Sequence, residues 1–125
     1  LQIVVALAAV VPLAAGGVGI ARGPGMLAGV APPVPGGLDS HYRYLSGLLL
    51  GIGLVFAACI PRIERHGAII RAVGLVVVAG GLARLLSVLE NGLPGAGHAF
   101  GLAMELGVVP LILLWQARVA RAFDA

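Results

Sequence analysis

Two ionisable residues stand where an apolar chain should carry none. Arg84 interrupts one long apolar run and Glu105 interrupts the next. Charged groups at membrane depth are rare, usually face protein and mark functional positions. The two runs are joined by a short turn, so they should form antiparallel neighbouring helices. Residues equidistant from the turn then share a depth. The mean of 84 and 105 is 94.5, between Pro94 and Gly95 of that turn. Arg84 and Glu105 are therefore expected to face each other, roughly 8–10 Å inside their helix ends. His98 lies seven positions before Glu105, and Ser87 three after Arg84, which places each on the same helical face as its partner.

More polar side chains gather at the same level. Glu90 and Asn91 end one run, and His41, Arg43, Tyr44 and Ser46 begin another. Together they predict a polar funnel with Arg84 and Glu105 on its floor and His41 and Tyr44 on its rim. Arg43, Glu90 and His98 complete the candidate ligand-binding set. Such a funnel suits the anionic or carbonyl head group of an amphipathic molecule whose tail lies between helices. The same groups also offer acid–base chemistry. Glu105 would be the general acid or base, Arg84 would tune it, and His41 or His98 would assist in an isomerisation, cyclisation or hydrolysis. The plainest alternative is an interhelix clamp, in which opposite charges offset the cost of burying either.

Other chemistries lack their residues. Two His and a Glu resemble a zinc set, but no His pair stands at i, i+4, and no metal site is assigned. Cys59 is the single cysteine, so the chain has no internal disulfide and no redox dithiol. There is no nucleophile–base pair, no haem motif and no glycine-rich phosphate loop. No cofactor is expected.

The elements that must position these groups follow from composition. Sixty per cent of the residues are apolar, 10% are charged, and the mean hydropathy is +1.08. A soluble domain carries about 25% charged residues, so the bilayer is the natural solvent. Spans of about 20 apolar residues are expected at about 1–21, 40–60, 67–89 and 98–117, with Ser40 capping the second. The run 1–21 is longer than the apolar region of a signal peptide and is expected to be a spanning helix. The Pro- and Gly-rich connection 22–39 is not expected to be a regular helix, and its 23–37 loop is long enough to fold over the funnel as a lid. Asn91-Gly92 and Pro94-Gly95 mark the last turn. Gly47 and Gly51 form a Gly-x-x-x-Gly face for close helix approach. The whole is expected to be one all-α domain over 1–125, an integral membrane bundle of four transmembrane helices.

Eight Arg and no Lys, against five acids, give a net charge of +3. The Arg flank apolar runs and form no patch, which argues against nucleic acid as a partner. Arg62, Arg65, Arg71, Arg118 and Arg121 fall at one face and Arg22 and Arg43 at the other. The excess places the first face, and with it both termini, in the cytoplasm.

Several segments resemble one family. They are the run from His41 to Gly47, Ile63-Glu64-Arg65, the run from Gly80 to Ser87, Gly92-Leu93-Pro94, Met104-Glu105-Leu106, Pro110-Leu111 and the run from Trp115 to Arg121. Over positions 3 to 121 the chain resembles an uncharacterised bacterial family of four-helix integral membrane proteins, catalogued as a domain of unknown function. The resemblance implies a bacterial inner-membrane location and a fold similar to small DoxX-like bundles, and it implies no reaction.

Three functions remain open from the sequence. The first is an outward-facing intramembrane pocket binding a lipid, quinone or isoprenoid-like molecule. The second is an enzyme acting on such a molecule through Glu105. The third is an accessory subunit of a larger membrane complex or homo-oligomer. Membrane lipids are expected partners in each.

Overall fold

The computed structural model describes all 125 residues. The chain is all-α, and four of its helices are long and apolar enough to cross a membrane. They are α1 (Gln2–Arg22), α2 (Gly36–Cys59), α3 (Gly67–Asn91) and α4 (Ala96–Asp124). This is the pattern of a multi-pass membrane protein. Exposed apolar side chains follow it: Leu75, Val76, Leu82, Leu86 and Leu89 of α3 all stand open. The buried apolar set is only Val5, Ala9, Phe56, Cys59, Ile63, Ile70 and Ile112. Seven such residues cannot hold a water-soluble domain together, whereas in lipid the exposed leucines need no cover.

The helix bounds differ from the sequence expectation at two places. α2 starts at Gly36, so Ser40 lies inside the helix and does not cap it. Pro35 precedes the first turn, and its carbonyl accepts the N–H of Asp39 at 3.0 Å. Asp39 in that turn complements the helix dipole. α4 runs to Asp124, past the expected end near 117. Its backbone ladder continues where the apolar composition stops, because a helix end and a membrane boundary are separate things.

Contacts divide the chain into two compact units, one of residues 1–5 and 59–125 and one of residues 6–58. In the second, small residues set the approach of α1 and α2. A Cβ on Gly16 would stand 2.6 Å from the Leu50 nitrogen, and one on Gly19 would run into the Ser46 hydroxyl. On α2, Gly53 receives Leu13, whose Cγ would lie 2.8 Å from an added Cβ. The close-approach face therefore uses Ser46 and Gly53. A Cβ on Gly47 or Gly51 would meet nothing within 4 Å, so within this unit the pair does not seat α1.

In the first unit, α3 and α4 are joined by a short turn. Gly92 leaves α3 at φ 81° and donates its N–H to the Val88 carbonyl, a left-handed backbone that glycine adopts without strain. Lower down, Gly74 of α3 receives the Leu113 side chain.

α4 carries one irregularity. Residues Met104–Val108 are π-helical, and the N–H of Val109 reaches the Met104 carbonyl five residues back. Pro110 follows. It has no N–H to give the Leu106 carbonyl, and its ring crowds the preceding turn. Inserting one extra residue into the turn relieves that crowding, and such π-turns are frequent at functional positions.

Candidate functional site

Arg84 and Glu105 meet. Nε of Arg84 donates to Oε2 of Glu105 at 2.9 Å, and Nη2 donates to Oε1 at 3.0 Å. The two parallel bonds form a fork, the strongest arrangement open to this pair. Nη1 reaches Nδ1 of His98 at 3.0 Å. A guanidinium only donates, so Nδ1 accepts and the ring hydrogen lies on Nε2. Arg84 is thus the hub of a three-residue cluster.

Local sequence builds this cluster in three ways. The tight turn puts Arg84 and Glu105 at one depth. The seven-residue spacing lays His98 along the same face of α4, one face-repeat nearer the turn. Glycine supplies the closeness: a Cβ on Gly81 would stand 2.7 Å from the Glu105 Cβ and 2.9 Å from Cδ2 of Leu106. Gly101 leaves α4 bare beneath the guanidinium, where an added Cβ would come to 3.5 Å from Cζ. Glu105 itself sits in the π-helical turn.

The cluster is only partly enclosed. The Glu105 side chain is 17% exposed and that of Arg84 is 34% exposed. A guanidinium has five N–H groups, and the fork and the His98 bond use three of them. Within the unit, one N–H on Nη1 and one on Nη2 are unspent. The formal charges of Arg84 and Glu105 cancel. No hydroxyl, thiol or second carboxylate joins these hydrogen bonds.

Glu90 is the remaining expected site residue of this unit. Glu90 stands exposed near the end of α3 and takes no part in the cluster's hydrogen bonds. His41, Arg43 and Tyr44 lie in the other unit. Nε of Arg43 donates to both carboxylate oxygens of Asp39, at 2.9 and 3.1 Å, and Nη1 donates to the Ile20 carbonyl. There it caps the end of α1, where helix carbonyls lack partners. Gly23 makes room for it at φ 68°. His41 and Tyr44 are both exposed, with ring centroids 6.5 Å apart. No group of three His, Cys, Asp or Glu side chains converges for a metal within either unit.

A second polar construction lies at the far end of α4, around the 59–66 turn. Three of its carbonyls accept side-chain N–H bonds. Gln2 donates to Ile60 at 2.9 Å, Gln116 donates to Ile63 at 3.0 Å, and Nδ1 of His66 donates to Cys59 at 3.3 Å. Carbonyls at a helix end lack intrahelical partners and take such donors. Gln116 is 1% exposed, packs against the bare Cα of Gly67, and keeps its Oε1 buried without a partner. Sequence reasoning missed it. The available signal was an amide inside the apolar stretch 108–117. Beside this turn runs an open groove of about 260 Å³ lined by Ile63, Glu64, Trp115 and Phe123 among others.

Comparison with known proteins is narrow. No curated protein and no solved structure matches the chain significantly. A family model covers nearly all of it: by its match to residues 1–116, the chain belongs to the family described as domain of unknown function DUF4345.

Proposed function

We propose that this protein binds an amphipathic molecule of the membrane, a lipid, quinone or isoprenoid-like compound, at the Arg84–Glu105–His98 cluster. The observation that carries this reading is the state of Arg84. Its guanidinium is held rigid from two sides, yet a third of the side chain is exposed and two N–H groups are unspent within the unit. A clamp needs only the fork. A fork that also orients free donors at membrane depth is preorganised for an acceptor. The exposed apolar flanks of α3 give the ligand's tail a compatible surface.

The location proposed with this function is the bacterial inner membrane, with both termini cytoplasmic. The support is the five-to-two arginine asymmetry, which would put the cluster on the outer-leaflet side. Mass spectrometry of the protein purified in mild detergent tests the reading. A specific amphipath should accompany the wild type and be lost from an Arg84→Met/Glu105→Gln variant, in which the pair is replaced by neutral groups of similar size. Equal small-molecule content in the two proteins would leave the cluster a clamp.

A further inference from the structure

The charge and hydrogen-bond state of the cluster narrows what it can hold. We infer that the ligand's head group is uncharged and presents a carbonyl oxygen, as in a quinone or a glyceride ester; this rests on reading the cluster as a ligand site.

The first step is charge. The Glu105 carboxylate takes both bonds of the Arg84 fork, so the pair is formally neutral. His98 adds no charge, because its Nδ1 accepts from Nη1 and a ring that accepts at one nitrogen is neutral. An anionic head group entering here would find no net positive charge to offset its desolvation, and an unpaired charge away from water is strongly disfavoured.

The second step is valence. What the cluster's own hydrogen bonds leave unspent is one N–H on Nη1, one on Nη2 and, through the tautomer fixed by the Arg84 bond, the Nε2–H of His98. These are donors. A carbonyl oxygen has two lone pairs and accepts two N–H bonds without bringing charge. A hydroxyl would use one lone pair well and leave its own hydrogen to compete for Glu105. An aliphatic tail alone would leave every donor unpaired at membrane depth, which hydrocarbon cannot remedy. A carbonyl oxygen pairs two of these three donors, and a quinone or diacylglycerol brings a second carbonyl for the third.

The experiment uses the full chain in dodecylmaltoside micelles, a detergent without carbonyl groups. Three probes are titrated in turn: decylubiquinone, dioleoylglycerol and dihexadecyl phosphate, an anionic lipid without a carbonyl. Binding is followed by equilibrium dialysis, and the probe's C=O stretch by infrared difference spectroscopy. The expected result is that decylubiquinone or dioleoylglycerol binds more tightly than the anionic lipid. Its carbonyl band should move to lower frequency, and affinity should fall about tenfold in Arg84→Met/Glu105→Gln. Which of the two binds identifies the source of the carbonyl. Arg84→Lys, which keeps the charge but loses the planar fork, should lose the band shift as well; it serves where the double variant does not fold. Preferential binding of the anionic lipid, lost in the same variants, would overturn the uncharged-carbonyl inference and leave the ligand site standing. Binding of none of the three, or binding untouched by either variant, would overturn both.

Discussion

Arg84 concentrates the energetics at the residue scale, because it serves two partners at once. Removing one charge of the pair strands the other. In Glu105→Gln the guanidinium keeps a weaker neutral acceptor and loses its counter-charge. The expected cost is about 2 kcal/mol, less than the 3–5 kcal/mol or so of a fully enclosed pair, since a third of the Arg84 side chain remains exposed. Glu64→Gln is the control, for Glu64 meets only Arg65 at 4.0 Å and should change stability by less than about 0.5 kcal/mol. Thermal unfolding in detergent compares the two, and equal melting would mean that the pair contributes nothing. The adjacent glycines provide a sharper contrast. Gly81→Ala should destabilise by about 1–3 kcal/mol, because its Cβ would press on Glu105 and Leu106. Gly80→Ala meets nothing within 4 Å and should be neutral or slightly stabilising through helix propensity. The Arg84–Glu105 contact was legible in the sequence, since a tight turn converts equal spacing into equal depth. The Gln116 lock was not, because its partner is a backbone carbonyl of Ile63, and carbonyls carry no sequence signature.

At the scale of elements, the π-helical turn decides where the upper part of α4 points. One extra residue in a turn rotates the residues before it by about 100° relative to those after it. His98, Gly101 and Glu105 lie on or before that turn, and Ile112 and Gln116 lie after it. Pro110→Ala restores an N–H and permits an ordinary α-turn. The expected outcome is a helix that unfolds at the same or a higher temperature but whose Arg84–Glu105 and Arg84–His98 bonds are misaligned. Introducing Glu105→Gln into that background should then cost less than in the wild type, a coupling that a double-mutant cycle measures. Additive effects would show that Pro110 does not position Glu105. The same scale explains the shifted helix bounds. Gly36 and Gly37 are poor helix formers, which hid the true start of α2, and the polar residues after 117 hid the continuation of α4. Periodicity and composition marked the four apolar spans well, but nothing in the pattern pointed to the π-helical turn before Pro110.

For the molecule as a whole, orientation is the open physical quantity, and arginine distribution is what sets it. Arg62, Arg65, Arg71, Arg118 and Arg121 are all exposed, and only Arg65 has an acidic neighbour within 4.0 Å. In the other unit Arg43 is paired with Asp39. Juxtamembrane arginines hold their loops on the cytoplasmic side during insertion. The 61–66 turn and the C-terminal part of α4 should accordingly lie in the cytoplasm, and the 92–95 turn on the opposite side with the Arg84 cluster beneath it. A reporter enzyme active only outside the cytoplasm, fused after Ala125, should be silent, and the same reporter inserted at Gly95 should be active. Replacing Arg62, Arg118 and Arg121 together by Gln removes most of the unpaired charge. This change should produce a mixed population with measurable activity from the Ala125 fusion. Strong activity from that fusion in the unaltered protein would reverse the orientation and turn the cluster towards the inner leaflet, leaving its hydrogen-bond chemistry unchanged.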